Sequence, residues 1–182
     1  MTCTRKGAAT VNEAAIVALY GRKSPLGTLP GDVELNPENY WDGKFRTDRR
    51  PIPSAVPVYK KMKVYLTKNV RKEDDYVNGM LCEVENYHAD EDMLRVRTKT
   101  GHRLAISRWT DRDKGNAVYF PIRPGYASTI DKVQGDEFPH ITIYLDGYPR
   151  PAAGYTALSR VATSEDYLIG GHVERESFIP AF

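Results

Sequence analysis

The stretch "YASTIDKVQGDEFPHITIYLD", residues 126–146, joins a polar turn to an apolar strand. Its last part, "ITIYL" at 141–145, has the composition of a buried strand and stops at an aspartate. The turn before the strand gathers a cation, an amide, a glycine and a carboxylate: Lys132, Gln134, Gly135 and Glu137. Because ligands of open α/β sheets bind beyond the carboxyl ends of strands, this turn is a candidate phosphate and ribose site. Taken alone, a plain surface turn explains it better.

Helix and strand patterns flank this stretch. Residues 2–4 are strand-friendly, and residues 7–21 predict a helix that stops at a glycine. A second helix is predicted over 152–162 and a last strand over 166–173. The expected apolar faces are Ala8, Val11, Ala15, Ala18 and Leu19 in the first helix, and Tyr155, Leu158 and Val161 in the second.

The middle of the chain changes to a period of two. Residues 58–106 alternate apolar and polar side chains, with turn chemistry at Asn78-Gly79 and Thr100-Gly101. This pattern predicts a small antiparallel barrel. Residues 21–57 are rich in Pro and Gly and predict loops. The fold class expected from these patterns is an α/β layer domain interrupted by a β insertion.

Composition narrows the class of protein without choosing one. Net charge is +2, from 26 basic and 24 acidic residues, so any basic binding surface must be local. The two cysteines lie far apart, which favours a reduced intracellular compartment, nuclear or cytoplasmic. No apolar stretch is long enough to cross a bilayer, so no membrane partner is expected. The four histidines lack ligand spacing, so no metal site is predicted.

Arg160, in "YTALSRV", is a second candidate for the site predicted at the polar turn. An arginine on an apolar helix is often a salt-bridge residue; the sharper alternative is an arginine finger that stabilises charge during phosphoryl transfer. The two stretches together, in this order and spacing, resemble the C-terminal motifs of superfamily-one DNA helicases of the PIF-type and RecD-like branch. Members typically read Tyr-Ala-x-Thr-Ile-His-Lys-Ser-Gln-Gly, then a strand, then Tyr-Val-Ala-Leu-Ser-Arg-Val.

Two further stretches extend the resemblance over most of the chain outside residues 21–57. "VYLTKNVRKEDDYVNGMLCEV", residues 64–84, looks like the opening of the family's inserted SH-three-like barrel. "TCTRKGAATVNEAAI", residues 2–16, is similar to the strand–helix unit that opens its second RecA-like domain. The resemblance implies a RecA-like, P-loop NTPase-type parallel-sheet domain over 1–57 and 107–182, lacking the P-loop itself, with the barrel over 58–106.

The resemblance also implies roles for individual residues. Gln134 and Gly135 would face the γ-phosphate of ATP bound between two RecA-like domains. Glu137 would lie near the ribose, and Arg160 would be the finger. Contacts to the phosphates of single-stranded DNA, with RNA possible, are implied for Thr129, Lys132, Thr4, Lys68 and Asn78. Such contacts hold a strand without reading its sequence.

The chain departs from the family pattern at two positions and lacks one motif. Asp131 stands where the family has His, and Val133 where it has Ser. An acid at 131 would repel a DNA phosphate if it pointed the same way. No P-loop motif, which would hold the β and γ phosphates and Mg²⁺, occurs in the sequence. We therefore expect ATP and Mg²⁺ to bind only together with a P-loop-bearing partner, the N-terminal RecA-like helicase domain, and expect no ATPase activity from this chain alone.

Three functions stay open at this point. The first is the C-terminal motor domain of an ATP-dependent DNA helicase. The second is a non-enzymatic nucleic-acid- or protein-binding module derived from a helicase. The third is a small β-barrel interaction domain, which predicts Arg160 buried in an ion pair. The first strand begins almost at Met1, as in a chain cut from a longer protein, and a P-loop upstream would favour the first function.

Overall fold

The computed structural model describes residues 1–30, 55–112, 117–133, 137–147, 151–163 and 165–179. Two α-helices are described, α1 (Arg5–Tyr20) and α2 (Ala153–Leu158), together with 3₁₀ turns at Ile130–Val133 and Arg175–Phe178. The described strands are β1 (Gly27–Leu29), β2 (Val56–Val58), β3 (Lys63–Leu66), β4 (Leu81–His88), β5 (Met93–Thr98), β6 (Arg103–Ile106), β7 (Trp109–Asp111), β8 (Ala117–Tyr119), β9 (Ile122–Pro124), β10 (Ile141–Leu145) and β11 (Tyr167–Gly171). The fold is therefore mixed α/β, with both antiparallel and parallel strand pairs.

The chain divides into two units. The terminal unit consists of Met1–Gly21 and Tyr126–Phe182, and the central unit is Arg22–Gly125. The boundaries predicted from the sequence, at 57/58 and 106/107, differ from these. Which unit corresponds to which predicted domain stays a prediction.

The central unit is built on a five-stranded antiparallel sheet in the order β6-β5-β4-β3-β9. Alternate side chains of β5 and β6 are buried, as the period of two predicts for strands with one face on a core. Gly79 and Gly101 have φ of +90° and +98°, a left-handed conformation that glycine adopts without strain in tight turns. The antiparallel strands and the glycine turns predicted within residues 58–106 are therefore confirmed.

The prediction that residues 21–57 form only loops is wrong at both ends of that range. Strand β1 pairs antiparallel with β2, with Gly27 opposite Val58. Proline has no N–H to donate, but Pro57 is compatible with this pairing because both strands of a two-stranded sheet are edge strands. Residues 31–54 lie outside the described part of the chain.

Parallel pairing characterises the terminal unit. Strand β10 pairs in parallel with β11, with Ile141 opposite Tyr167. The predicted strand over residues 2–4 is reduced to Thr2, which forms parallel bridges to both Thr129 and Tyr144. The core of this unit comprises Cys3, Ile130, Ile141, Ile143, Leu145, Ala153 and Ala157.

The buried faces of the two helices match the predicted faces in part: Ala8 is buried, and Leu158 and Val161 are partly buried against the core. In α1 the buried residues are Gly7, Ala8, Asn12 and Tyr20, whereas Leu19 is 51% exposed. In α2 the buried residues are Ala153, Gly154 and Ala157, whereas Tyr155 is 63% exposed. Small residues face the core in α2 because the ring of Phe178 lies where a Cβ of Gly154 would stand. Among the described residues, no helix is both long and apolar enough to span a membrane.

Candidate functional site

The polar turn of the opening stretch begins with a buried threonine. Thr129 is 7% exposed and its carbonyl accepts a hydrogen bond from Lys132 N at 3.0 Å, which closes the 3₁₀ turn. Asp131 and Lys132 are exposed, while Val133 is buried. The valine that replaces the family's serine therefore fills an apolar position. Gln134 and Gly135, the predicted γ-phosphate residues, lie outside the described residues.

The backbone that leads into this turn is held by one buried side chain of α1. The Asn12 Nδ2 donates to the carbonyls of Ala8 at 2.8 Å and Ala127 at 3.0 Å. Its Oδ1 accepts from Tyr126 N and Ala127 N, both at 2.9 Å. The side-chain amide of Asn12 thus makes four hydrogen bonds, and the residue is only 8% exposed. Asn12 therefore fixes the position of residues 126–127 relative to α1.

A second polar contact joins the start of α1 to the end of β10. Asp146 accepts hydrogen bonds from Cys3 N at 3.0 Å and Thr4 N at 3.2 Å. The Thr4 hydroxyl also donates to Asp146, and it caps α1 by accepting from Gly7 N at 2.9 Å. Thr4, predicted to touch a nucleic-acid phosphate, thus has a structural role in this arrangement.

The environment of Asp146 keeps its carboxylate ionised. Burial alone would raise the pKa of Asp146, but the hydrogen bonds from Thr4 and from the backbone of Cys3 and Thr4 outweigh it and lower the pKa. A lowered pKa means that this group stabilises the fold at neutral pH and that the contribution is lost as the pH falls through the folded-state pKa.

Replacing Gly7 with alanine is expected to destabilise the terminal unit, although alanine is the better helix former by about 1 kcal/mol. A Cβ at position 7 would overlap Asp146 Oδ2 and lie 2.6 Å from its Cγ, so the carboxylate must leave its three donors. Urea unfolding followed by circular dichroism measures the effect. The matched control is Ala14→Gly on the exposed side of α1, where propensity alone acts. Greater stability of Gly7→Ala than of the parent chain would contradict this packing.

The far end of the polar turn is tied to Arg160 through the backbone. Phe138 N donates to the Arg160 carbonyl at 2.9 Å, and Glu137, the predicted ribose residue, is exposed next to it. The structure therefore places the backbone of Phe138, one residue after Glu137, beside the backbone of Arg160.

Arg160 follows α2 rather than lying within it, as the predicted helix over 152–162 would have required. The helix ends at Leu158, where Ser159 Oγ donates back to the Thr156 carbonyl at 2.8 Å. The Arg160 Nε is 3.2 Å from both Thr156 O and Ser159 Oγ, and its Nη2 is 2.7 Å from that hydroxyl.

The guanidinium of Arg160 is partly exposed and makes these bonds to neutral groups. Among the described residues it has no carboxylate partner, in contrast to the ion pair expected of a plain interaction domain. Because a guanidinium carries about five N–H donors, most of them stay available to an anion.

The two predicted strand-binding residues of the central unit have different surroundings. Lys68 Nζ is 2.9 Å from Asp111 Oδ2 and lies 5.7 Å from the ring centroid of Trp109. Asp111 also accepts from the Tyr119 hydroxyl at 2.5 Å, so the lysine neutralises a buried carboxylate. Asn78 is exposed at a turn, where its backbone N donates to Asn69 Oδ1 at 2.8 Å.

Sequence reasoning missed Asn12 and Asp146 as organising residues. A signal existed for Asp146, because an acid directly after a strand and a Thr before a helix are both typical of loop-anchoring positions. No such signal exists for Asn12, since a polar residue in an amphipathic helix is normally read as solvent-facing.

Comparison with solved structures shows what this arrangement resembles. A chain from a structure of DNA unwinding at forked double-stranded DNA by two coordinating Pif1 helicases matches with a TM-score of 0.75 and 21% identity, covering 100% of this chain and 41% of that one. The Bacteroides Pif1 helicase in complex with ADP-AlF3 and single-stranded DNA matches with 0.73 and 22%, covering 99% and 42%.

This chain has the fold of part of a Pif1 helicase. The Candida albicans Pif1 helicase matches too, with a TM-score of 0.67 and 16% identity over 98% of this chain and 46% of that one. No protein-family model matches the sequence, and neither does any curated protein.

The resemblance inferred from the motifs is thus confirmed for the fold. The chain spans less than half the length of the Pif1 helicase chains it matches.

Proposed function

We propose that this chain is the C-terminal part of an ATP-dependent DNA helicase of the Pif1 type. The terminal unit acts as the second RecA-like motor domain, and the central unit carries the SH-three-like barrel. The parallel pairing of β10 with β11 and the parallel bridges of Thr2 support the first assignment. The five-stranded antiparallel sheet supports the second. The N-terminal RecA-like domain is the partner that bears the P-loop.

The observation that carries the nucleotide part of the proposal is the bond between Phe138 N and the Arg160 carbonyl. It holds the backbone of Phe138, which follows Gln134 and Gly135 closely in the sequence, beside the backbone of the arginine. A guanidinium with unused donors fits the negatively charged oxygens of a triphosphate. In the proposal Arg160 and Gln134 act on the transferring phosphate, while Gly135 and Glu137 border the nucleotide.

Bound Mg-ATP would supply the phosphoryl group whose transfer develops the charge that the arginine stabilises. This chain contributes Arg160 to that site, and the P-loop-bearing domain contributes the phosphate cradle and the metal ligands. We therefore propose that the isolated chain neither hydrolyses ATP nor unwinds DNA.

The strand-binding part of the proposal centres on Lys132. Its side chain is exposed on the 3₁₀ turn, one residue after an exposed acid, whereas the Thr129 side chain is buried behind it. A lysine contacts a phosphate as a point charge, so it can follow a backbone of any sequence. Thr4, Lys68 and Asn78 are weaker candidates for the same role, and the side chains of the first two also bond to Asp146 and Asp111.

Binding of a fluorescein-labelled oligo-deoxythymidine is expected at low salt and should weaken by at least about tenfold between about 50 and 200 mM salt. Fluorescence anisotropy measures the affinity. Lys132→Ala should weaken binding at low salt. It should also reduce the slope of log affinity against log salt concentration by about one, since one fewer counterion is released on binding. The matched control is Lys6→Ala on the exposed side of α1, which should leave both unchanged.

Binding that does not respond to salt, or no binding at low salt, would contradict the strand-binding role. An exposed Asp131 where the family has a histidine favours the alternative, a non-enzymatic module derived from a helicase. Asp131→His separates the two, because a helicase part should gain affinity when the acid is removed, while a module that binds another partner should not.

A further inference from the structure

Strand β6 forms one edge of the five-stranded sheet of the central unit. It pairs with β5 on one side, with Arg103 opposite Arg97 and Ala105 opposite Arg95. On its other side, no strand among the described residues pairs with it. An unpaired strand edge is a template for another extended chain.

The register identifies which backbone groups of β6 point outward. Thr98 N donates to the His102 carbonyl at 2.8 Å, which makes these two residues a hydrogen-bonded pair. Because such pairs alternate along an antiparallel ladder, Leu104 bonds to β5, while Arg103 and Ala105 direct their N–H and C=O away from it. The edge therefore presents two donors and two acceptors.

A groove of about 490 Å³ runs beside this edge on the solvent face of the sheet. Its walls come from three neighbouring strands, β4, β5 and β6. The residues that matter for recognition are Glu85, Asn86, His88, Arg95, Arg103 and Ala105. Side chains of a strand added to β6 would reach into this groove.

The groove and its border carry an excess of positive charge. Arg97 Nε donates to Glu85 Oε1 at 2.7 Å, and Arg103 Nε lies 3.3 Å from Glu85 Oε2. Arg95 lines the groove without a carboxylate partner among the described residues. The groove and its border therefore hold three guanidinium groups and one carboxylate.

We propose that β6 binds an acidic, extended peptide of a partner protein, which adds to the sheet as a further strand. The backbone of Arg103 and Ala105 supplies the pairing, and Arg95 and Arg103 receive the carboxylate side chains of the peptide. Main-chain bonds give affinity in this mode of recognition, and the groove gives specificity.

Two other occupants fit these observations less well. If β6 paired with β6 of a second copy of the chain, the arginines of the two copies would lie next to each other, and their repulsion costs free energy. A nucleic-acid phosphate accepts hydrogen bonds but cannot donate to the outward carbonyls of Arg103 and Ala105.

The test uses the full chain and a fluorescein-labelled peptide, Thr-Glu-Val-Glu-Val-Glu-Thr, with binding measured by anisotropy. Arg95→Glu is expected to weaken binding by at least about tenfold, the scale of a lost charge-assisted bond. Ala105→Pro removes an outward N–H without touching the ladder to β5, and is expected to weaken binding by about fivefold. Lys72→Glu changes the net charge equally at an exposed loop and should have no effect.

A peptide methylated at alternate backbone nitrogens provides a test that leaves the protein unchanged. Methylation of the edge that faces β6 should abolish binding, while methylation of the opposite edge should not. Equal binding of both methylated peptides would overturn the proposal, because charge alone would then explain the affinity. An oligo-deoxythymidine that binds in an Arg95-dependent manner, with no binding of the peptide, would identify a nucleic acid as the occupant and also overturn it.

Discussion

Replacing Arg160 with alanine is expected to lower the kcat of ATP hydrolysis by about 10³-fold or more when this chain completes a motor. The experiment is a chimera in which residues 1–182 replace the structurally matched 42% of the Bacteroides Pif1 helicase chain. The effect should be large because, in the proposed role, the guanidinium would stabilise the extra charge that develops on the phosphoryl group in the transition state. Since this extra charge is absent from bound ATP before the transfer, the KM for ATP should change little.

Two variants sharpen this measurement. Arg160→Lys keeps the charge but loses the planar fork that bonds to Ser159 and Thr156, so most of the loss should persist. Arg175→Ala removes an exposed arginine from the same unit and should leave hydrolysis unchanged. A chimera that hydrolyses ATP equally well with and without the Arg160 side chain would remove this residue from the site.

Local patterns predicted the elements that depend on local interactions. Strand β4 (residues 81–88) lies within the range 58–106 where the period of two predicted strands, and α1 ends one residue before the glycine predicted to stop it. Burial alternates with the pleat along β5 and β6, so the period of two indicates which of their side chains face inward. In β4 the alternation is lost after Val84, where the register with β5 shifts. The ordered motifs predicted the fold, because they combine many weak local signals over most of the chain.

The helix faces and the site depended on distant partners and could not be read in the same way. Which face of α1 is buried follows from Asn12, whose partners Tyr126 and Ala127 lie more than a hundred residues away. Lys68 was expected to meet a nucleic acid, yet a carboxylate 43 residues further along the chain pairs with it. A residue's type indicates which bonds it can make, but only the fold decides which partner it meets.

Replacing Asn12 with leucine is expected to destabilise the terminal unit by about 3 kcal/mol. Leucine has the same branched shape as asparagine and is somewhat larger, so no cavity forms, but Tyr126 N and the N–H and C=O of Ala127 lose their partner in a buried place. Each unsatisfied buried group costs about 1–3 kcal/mol. The amide protons of residues 126 and 127 should then exchange with solvent much faster than in the parent chain, which NMR hydrogen exchange measures.

The matched control is Glu13→Leu, one residue further along α1 on an exposed position. It makes the same kind of change in the same helix without touching residues 126–127, so stability and exchange should stay near those of the parent chain. Asn12→Leu should also weaken single-stranded DNA binding, since the turn that carries Lys132 follows directly from the backbone that Asn12 holds. Fast exchange at 126–127 together with unchanged DNA binding would mean that Lys132 is positioned by the core residue Ile130 rather than by α1, and the role given to Asn12 would be limited to stability.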